Sequence, residues 1–86
     1  MNIGFLGLGK LGLPVSLAVE DKGHKVFGFD ISKQTINDIK NRKIRYKEEW
    51  VDKYLPNTKL EITDIDNLVK NSEIIFVPIQ TPHDPK

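Results

Sequence analysis

Four of the nine residues in Gly-Phe-Leu-Gly-Leu-Gly-Lys-Leu-Gly, Gly4 to Gly12, are glycine, and they stand between an apolar run and a helical pattern. No other stretch restricts the chain as much. Asn2 to Leu6 is short, apolar and stopped by glycine, as suits a buried strand. Beyond the glycines, Leu11, Val15, Ala18 and Val19 recur at helical spacing, and Gly23 stands where a helix end favours a left-handed backbone. Pro14 is no obstacle, because the first four N–H groups of a helix have no intrahelical partner, and the helix is predicted to begin near Lys10. The local product is strand, glycine turn, helix.

The same alternation continues. Lys25 to Asp30 reads as a second strand, and Ser32 can cap a helix whose inward face is thin, Ile36 and Ile39. Ile44 to Leu55 begins irregularly and then places Val51, Tyr54 and Leu55 on one helical face before a turn at Pro56 and Asn57. Lys59 to Thr63 is a brief third strand, and Asp64 can cap a helix carrying Ile65, Leu68 and Val69. Glu73 to Ile79 is nearly continuous apolar sequence, the signature of a strand inside a parallel sheet. Together these predict an α/β fold: a Rossmann-like, doubly wound parallel sheet of about four strands in the order 3-2-1-4. Such sheets generally run to six strands, and an apolar fourth strand makes a poor edge. Residues 1–86 are therefore expected to be an incomplete domain, a fragment of a longer protein.

Composition removes several function classes. Charges of both signs are mixed to a net of +1, so no basic field points to nucleic acid. There is no cysteine, hence no disulfide scaffold, thiolate metal site or thiol nucleophile within these residues. No apolar run approaches the roughly 20 residues that span a bilayer, and a soluble, cytoplasmic protein without a membrane partner is expected. His24 and His83 lack partners at metal-ligand spacing, so no metal is expected. Glu48, Glu49 and Asp52 read as a solvated helix face, and Trp50 with Tyr54 as a packing pair.

Gly7-x-Gly9-x-x-Gly12 fits a dinucleotide loop, in which the first glycine makes the turn, the second admits a pyrophosphate and the third lets helix and strand pack closely. The helix N-terminus then offers N–H groups and a favourable dipole to the phosphates. Lys10 lies inside the loop, within reach of a phosphate, and Leu11 adjoins it where the helix begins. Asp30 closes the second strand about 20 residues on, where a carboxylate takes the ribose hydroxyls. It would repel a 2′-phosphate, and the sequence supplies only Lys33 nearby, so NAD is favoured over NADP. The competing reading is a tight βα turn with Asp30 serving as a helix-capping acid. Thr81, in Val-Pro-Ile-Gln-Thr-Pro at Val77 to Pro82, falls at the crevice where the strand order reverses.

The Gly12-Leu13-Pro14 after the loop, the Gly28-Phe29-Asp30 ending strand two and the Val77-x-x-x-Thr81-Pro82 closing strand four together resemble the N-terminal domain of the UDP-glucose/GDP-mannose dehydrogenase family. Gln80 stands where that family more commonly has proline. The resemblance implies an NAD-dependent oxidation of a nucleotide-sugar primary alcohol to a carboxylate, through a thiohemiacetal on a cysteine, in a homo-oligomer. It implies cofactor contacts for Gly7, Gly9, Gly12, Asp30 and Thr81, with Lys33 as helper, and it assigns no catalytic residue to these 86 positions. Two other readings share the opening: a hydroxyacid dehydrogenase of the 6-phosphogluconate or 3-hydroxyisobutyrate type, in which Ile44 to Leu60 would be an insertion, and a non-catalytic nucleotide-sensing module.

Overall fold

The computed structural model describes residues 1–44 and 48–78. In chain order it contains β1 (Asn2–Leu6), α1 (Gly12–Asp21), β2 (Lys25–Phe29), α2 (Lys33–Lys40) and α3 (Glu49–Tyr54). A 3-10 turn (Leu55–Asn57), β3 (Glu61–Ile62), α4 (Ile65–Asn71) and β4 (Ile74–Phe76) follow. The four strands form one sheet in the order β3-β2-β1-β4, as the alternation predicts. All pairings are parallel. β1 lies centrally, in register with β2 from Asn2 opposite Lys25 to Leu6 opposite Phe29, and with β4 from Ile3 opposite Ile74 to Phe5 opposite Phe76. The glycine turn leaves the C-terminal end of this inner strand.

Side chains alternate across β1. Ile3 and Phe5 join Leu8, Leu13, Leu17, Val26, Ile39, Val51 and Leu55 in the main core. Gly4 faces the other way, where a Cβ would stand 2.6 Å from Leu68 Cδ2 of α4, so helix and sheet meet there only because a side chain is missing.

The inward face of α1 differs from the predicted one. Leu11 and Val15 are exposed, and the buried residues are Gly12, Leu13, Ser16 and Leu17. The helix is apolar nearly all round, so periodicity could not choose a face, and the single hydroxyl pointed the wrong way. Ser16 tolerates burial because its Oγ donates to the Leu13 carbonyl at 2.7 Å. Helix α1 also starts at Gly12 rather than near Lys10, which places Pro14 third in the helix, still among the residues without an intrahelical acceptor.

Local signals elsewhere act as expected. Gly23 has φ +98° and ends α1. Ser32 Oγ accepts from Thr35 N at 3.2 Å and Asp64 Oδ1 from Asn67 N at 2.8 Å, each capping its helix. Replacing Ser32 with alanine is expected to cost about 1 kcal/mol, read from the urea midpoint of unfolding. Glu48 departs from the predicted solvated face: it caps α3, accepting from Val51 N at 2.9 Å. Trp50 and Tyr54 pack with ring centroids 4.3 Å apart.

Helix α2 ends on Arg42 at φ 59°, a conformation that usually calls for glycine. Its guanidinium holds it there by donating to the Ile39 carbonyl at 2.9 Å and the Thr58 carbonyl at 3.3 Å. Both later strands are shorter than the sequence suggests. β4 forms an edge whose Ile74 and Phe76 remain half exposed, with Phe5 and Phe76 stacked at 5.2 Å.

Candidate cofactor site

The three glycines of the loop are demanded by three different things. Gly7 follows β1 at φ +133°, and its N–H donates to the Phe29 carbonyl at 2.8 Å, turning the chain off the sheet. Gly12 is buried: a Cβ there would overlap the Gly7 carbonyl oxygen, lie 2.9 Å from the Gly7 carbonyl carbon and 3.2 Å from the Pro78 ring. Two backbones meet at that point, and neither can yield. Gly9 is exposed, has no left-handed φ, and a Cβ added to it would find no atom within 4 Å. Among the described residues nothing requires glycine at this position.

That open position adjoins the N-terminus of α1. The Leu13 amide is taken by the Gly9 carbonyl at 2.9 Å. Among the described residues no side chain caps the helix, and its first turn holds no acidic residue to offset the positive end of the dipole. A glycine surface that a Cβ would fill, at an uncapped helix start, suits an anion such as a pyrophosphate.

Asp30 stands just past the end of β2, half buried. Its Oδ2 accepts from Leu8 N inside the loop and its Oδ1 from Ser32 N ahead of α2, both at 2.8 Å. A carboxylate has about four acceptor positions, so roughly two remain for a ligand. The competing reading of Asp30 as a purely local cap is thereby enlarged: the acid serves the loop as well as the start of α2. Beside it, a crevice of about 340 Å3 is lined by Leu6, Gly7, Phe29, Asp30, Ile31 and Ile65. Lys33 opens α2 and lines a separate pocket with Asp30, Asn37 and Lys40. Lys10 faces yet another pocket, of about 200 Å3, shared with Gln34 and Asp38. Leu11 is exposed at the N-cap of α1. Gly7, Gly9, Gly12 and Asp30 thus converge on one edge, Leu11 and Lys33 flank it, and Thr81 lies outside the described residues.

Two residues of this edge escaped the sequence reading. Leu8, between two loop glycines, is buried against β2, where a Cβ on Gly28 would come within 2.7 Å of its Cδ1. A glycine inside the otherwise bulky Val26-Phe27-Gly28-Phe29 was the available signal of close approach. Pro78 packs against both Gly7 and Gly12 from the end of β4, and only the parallel pairing of β4 with β1 brings it there.

The model of the UDP-glucose/GDP-mannose dehydrogenase family, NAD binding domain, matches residues 1–86. The chain belongs to this family. It is 40% identical over 83 residues to protein CapL of Staphylococcus aureus, covering 96% of the chain and 19% of CapL. Identity to the UDP-N-acetyl-D-mannosamine dehydrogenase of Pyrococcus horikoshii is 33% over 86 residues, covering 95% of the chain and 21% of that enzyme. A crystal structure of a ternary complex of GDP-mannose dehydrogenase from Pseudomonas aeruginosa superposes with a TM-score of 0.80 at 27% identity, over 99% of this chain and 21% of that one. The chain spans about a fifth of the length of these relatives. The range of the family match includes Ile44 to Leu60, the segment that a 6-phosphogluconate-type reading must treat as an insertion.

Among the described residues of this family member, no group of three or more His, Cys, Asp or Glu is placed to hold a metal ion. No helix among them is long and apolar enough to cross a membrane.

Proposed function

We propose that these residues form the adenosine-pyrophosphate half of an NAD site in an oxidoreductase that oxidises the primary alcohol of a nucleotide sugar to a carboxylate. The observation that carries the site is Gly9, a glycine the fold does not require, set between two that it does, at the uncapped start of α1. Gly7, Gly9 and Gly12 shape the backbone on which the pyrophosphate rests, with Lys10 and Leu11 at its edge. Asp30 accepts from the ribose hydroxyls with the lone pairs left after Leu8 and Ser32 are served, and Lys33 stands close enough to add a donor. Thr81 would approach the cofactor from the end of the fourth strand. When bound, NAD supplies the hydride acceptor for the alcohol carbon.

The chain has no cysteine, so a thiohemiacetal nucleophile must come from sequence other than these 86 residues. The nucleotide sugar would likewise be held by a separate domain, and the whole enzyme would be a homo-oligomer acting in the cytoplasm. The family's relatives named as nucleotide-sugar dehydrogenases support this reading.

Cofactor preference tests it. Isothermal titration should give NAD at least about tenfold tighter binding than NADP, because a 2′-phosphate would meet the Asp30 carboxylate. Equal affinity for the two would remove Asp30 from the ribose site.

A further inference from the structure

We infer that Asp30 is also a positioning residue, whose carboxylate locks the glycine loop in its phosphate-binding shape before any nucleotide arrives. The inference rests on the proposed NAD site and adds to it a role played through hydrogen bonds to the protein backbone, apart from those to the ribose. Loops built from glycine have the most backbone freedom to lose on ordering. Leu8, inside this loop, is anchored by both main chain and side chain. Its N–H donates to Asp30 Oδ2 at 2.8 Å, and its buried side chain sits over Gly28 of β2.

The other carboxylate oxygen is equally committed. Oδ1 accepts from Ser32 N at 2.8 Å, while Ser32 Oγ caps α2 through Thr35 N. One half-buried carboxylate therefore joins the loop after β1 to the first turn after β2. Hydrogen bonds from N–H groups to an ionised acceptor are about twice as strong as neutral ones, which suits an anchor for a flexible segment. Removing the carboxylate would leave two N–H groups without acceptors and release Leu8, so the loop would pay its ordering entropy on binding phosphate instead of on folding.

A purely ribose-reading acid and a loop-positioning acid differ on ligands that lack ribose hydroxyls. Affinities of ADP and of 2′,3′-dideoxy-ADP are to be measured for the wild-type chain and for Asp30→Ala, together with hydrogen exchange at the Leu8 amide. The inference expects Asp30→Ala to weaken 2′,3′-dideoxy-ADP by about fivefold or more, to weaken ADP further, and to speed Leu8 exchange at least about tenfold. Unchanged affinity for the dideoxy compound with weakened ADP overturns the positioning role and leaves the ribose reading standing. Should the wild-type chain bind neither nucleotide, the NAD site itself fails, and Leu8 exchange decides alone: acceleration in the variant supports the anchor, equal rates refute it. Should Asp30→Ala not fold, the wild-type amide decides, since a Leu8 exchanging as fast as an unstructured amide has no anchor and a protected one has.

Discussion

Gly12→Ala is expected to destabilise the fold by about 3 kcal/mol, seen as a large drop in the urea midpoint at unchanged slope. The added methyl would overlap the carbonyl oxygen of Gly7 and crowd its carbonyl carbon at 2.9 Å. Both atoms belong to a backbone held by the Gly7 N–H bond to Phe29 and by β1 itself. Overpacking usually costs about 1 to 3 kcal/mol, and this case lies at the upper end because no side chain can rotate away. In a small domain with about 5 kcal/mol of stability, a loss of that size removes more than half of it. A midpoint within error of wild type would mean that α1 shifts along β1 at little cost, and close helix–strand contact would no longer explain this glycine.

Gly9→Ala should behave in the opposite way. Its methyl meets nothing within 4 Å and the position is not left-handed, so stability should hold or rise by about 0.5 kcal/mol as the unfolded chain loses freedom. NAD affinity should fall by about thirtyfold, the equivalent of roughly 2 kcal/mol, because the methyl occupies the ground on which a phosphate must reach the loop. Calorimetry of one protein sample gives both numbers. A variant that keeps wild-type affinity would show that the open ground beside Gly9 is not where the pyrophosphate lies. Measured together, the two alanines separate a glycine the fold needs from a glycine its ligand needs.

Much of the candidate site was legible before any coordinates. Glycine at positions 7, 9 and 12, a helix pattern after them and an acid ending strand two are local features, and local features survive folding with little interference. The caps at Ser32 and Asp64 belong to the same class: each hydroxyl or carboxylate bonds an amide three residues away, and the chain needs no distant partner to form them. The strand order was also accessible, since right-handed crossovers leave few ways to arrange four alternating strands.

Other assignments depended on what lies across the sheet. Helix α1 could be turned several ways by its own composition, and packing against α3, β2 and β1 selected Leu13, Ser16 and Leu17 over Leu11 and Val15. Glu48 looked like one of several surface acids until the chain ahead of α3 brought it onto the Val51 amide. Asp30 could be recognised as an acid at the right distance, yet its hold on Leu8, 22 residues away, exists only because β1 and β2 run side by side.

The identities and spacing of the glycines, the acid and the caps thus determined by themselves that this chain would wind a parallel α/β sheet with an anion-ready turn, since those residues act through bonds and dihedral preferences within a few positions. Only the tertiary structure decided which helix face is buried, which glycine serves packing and which leaves open ground, and what Asp30 holds. Those outcomes arise from contacts between segments remote in sequence, where the shape of the partner, absent from any local pattern, determines the energy.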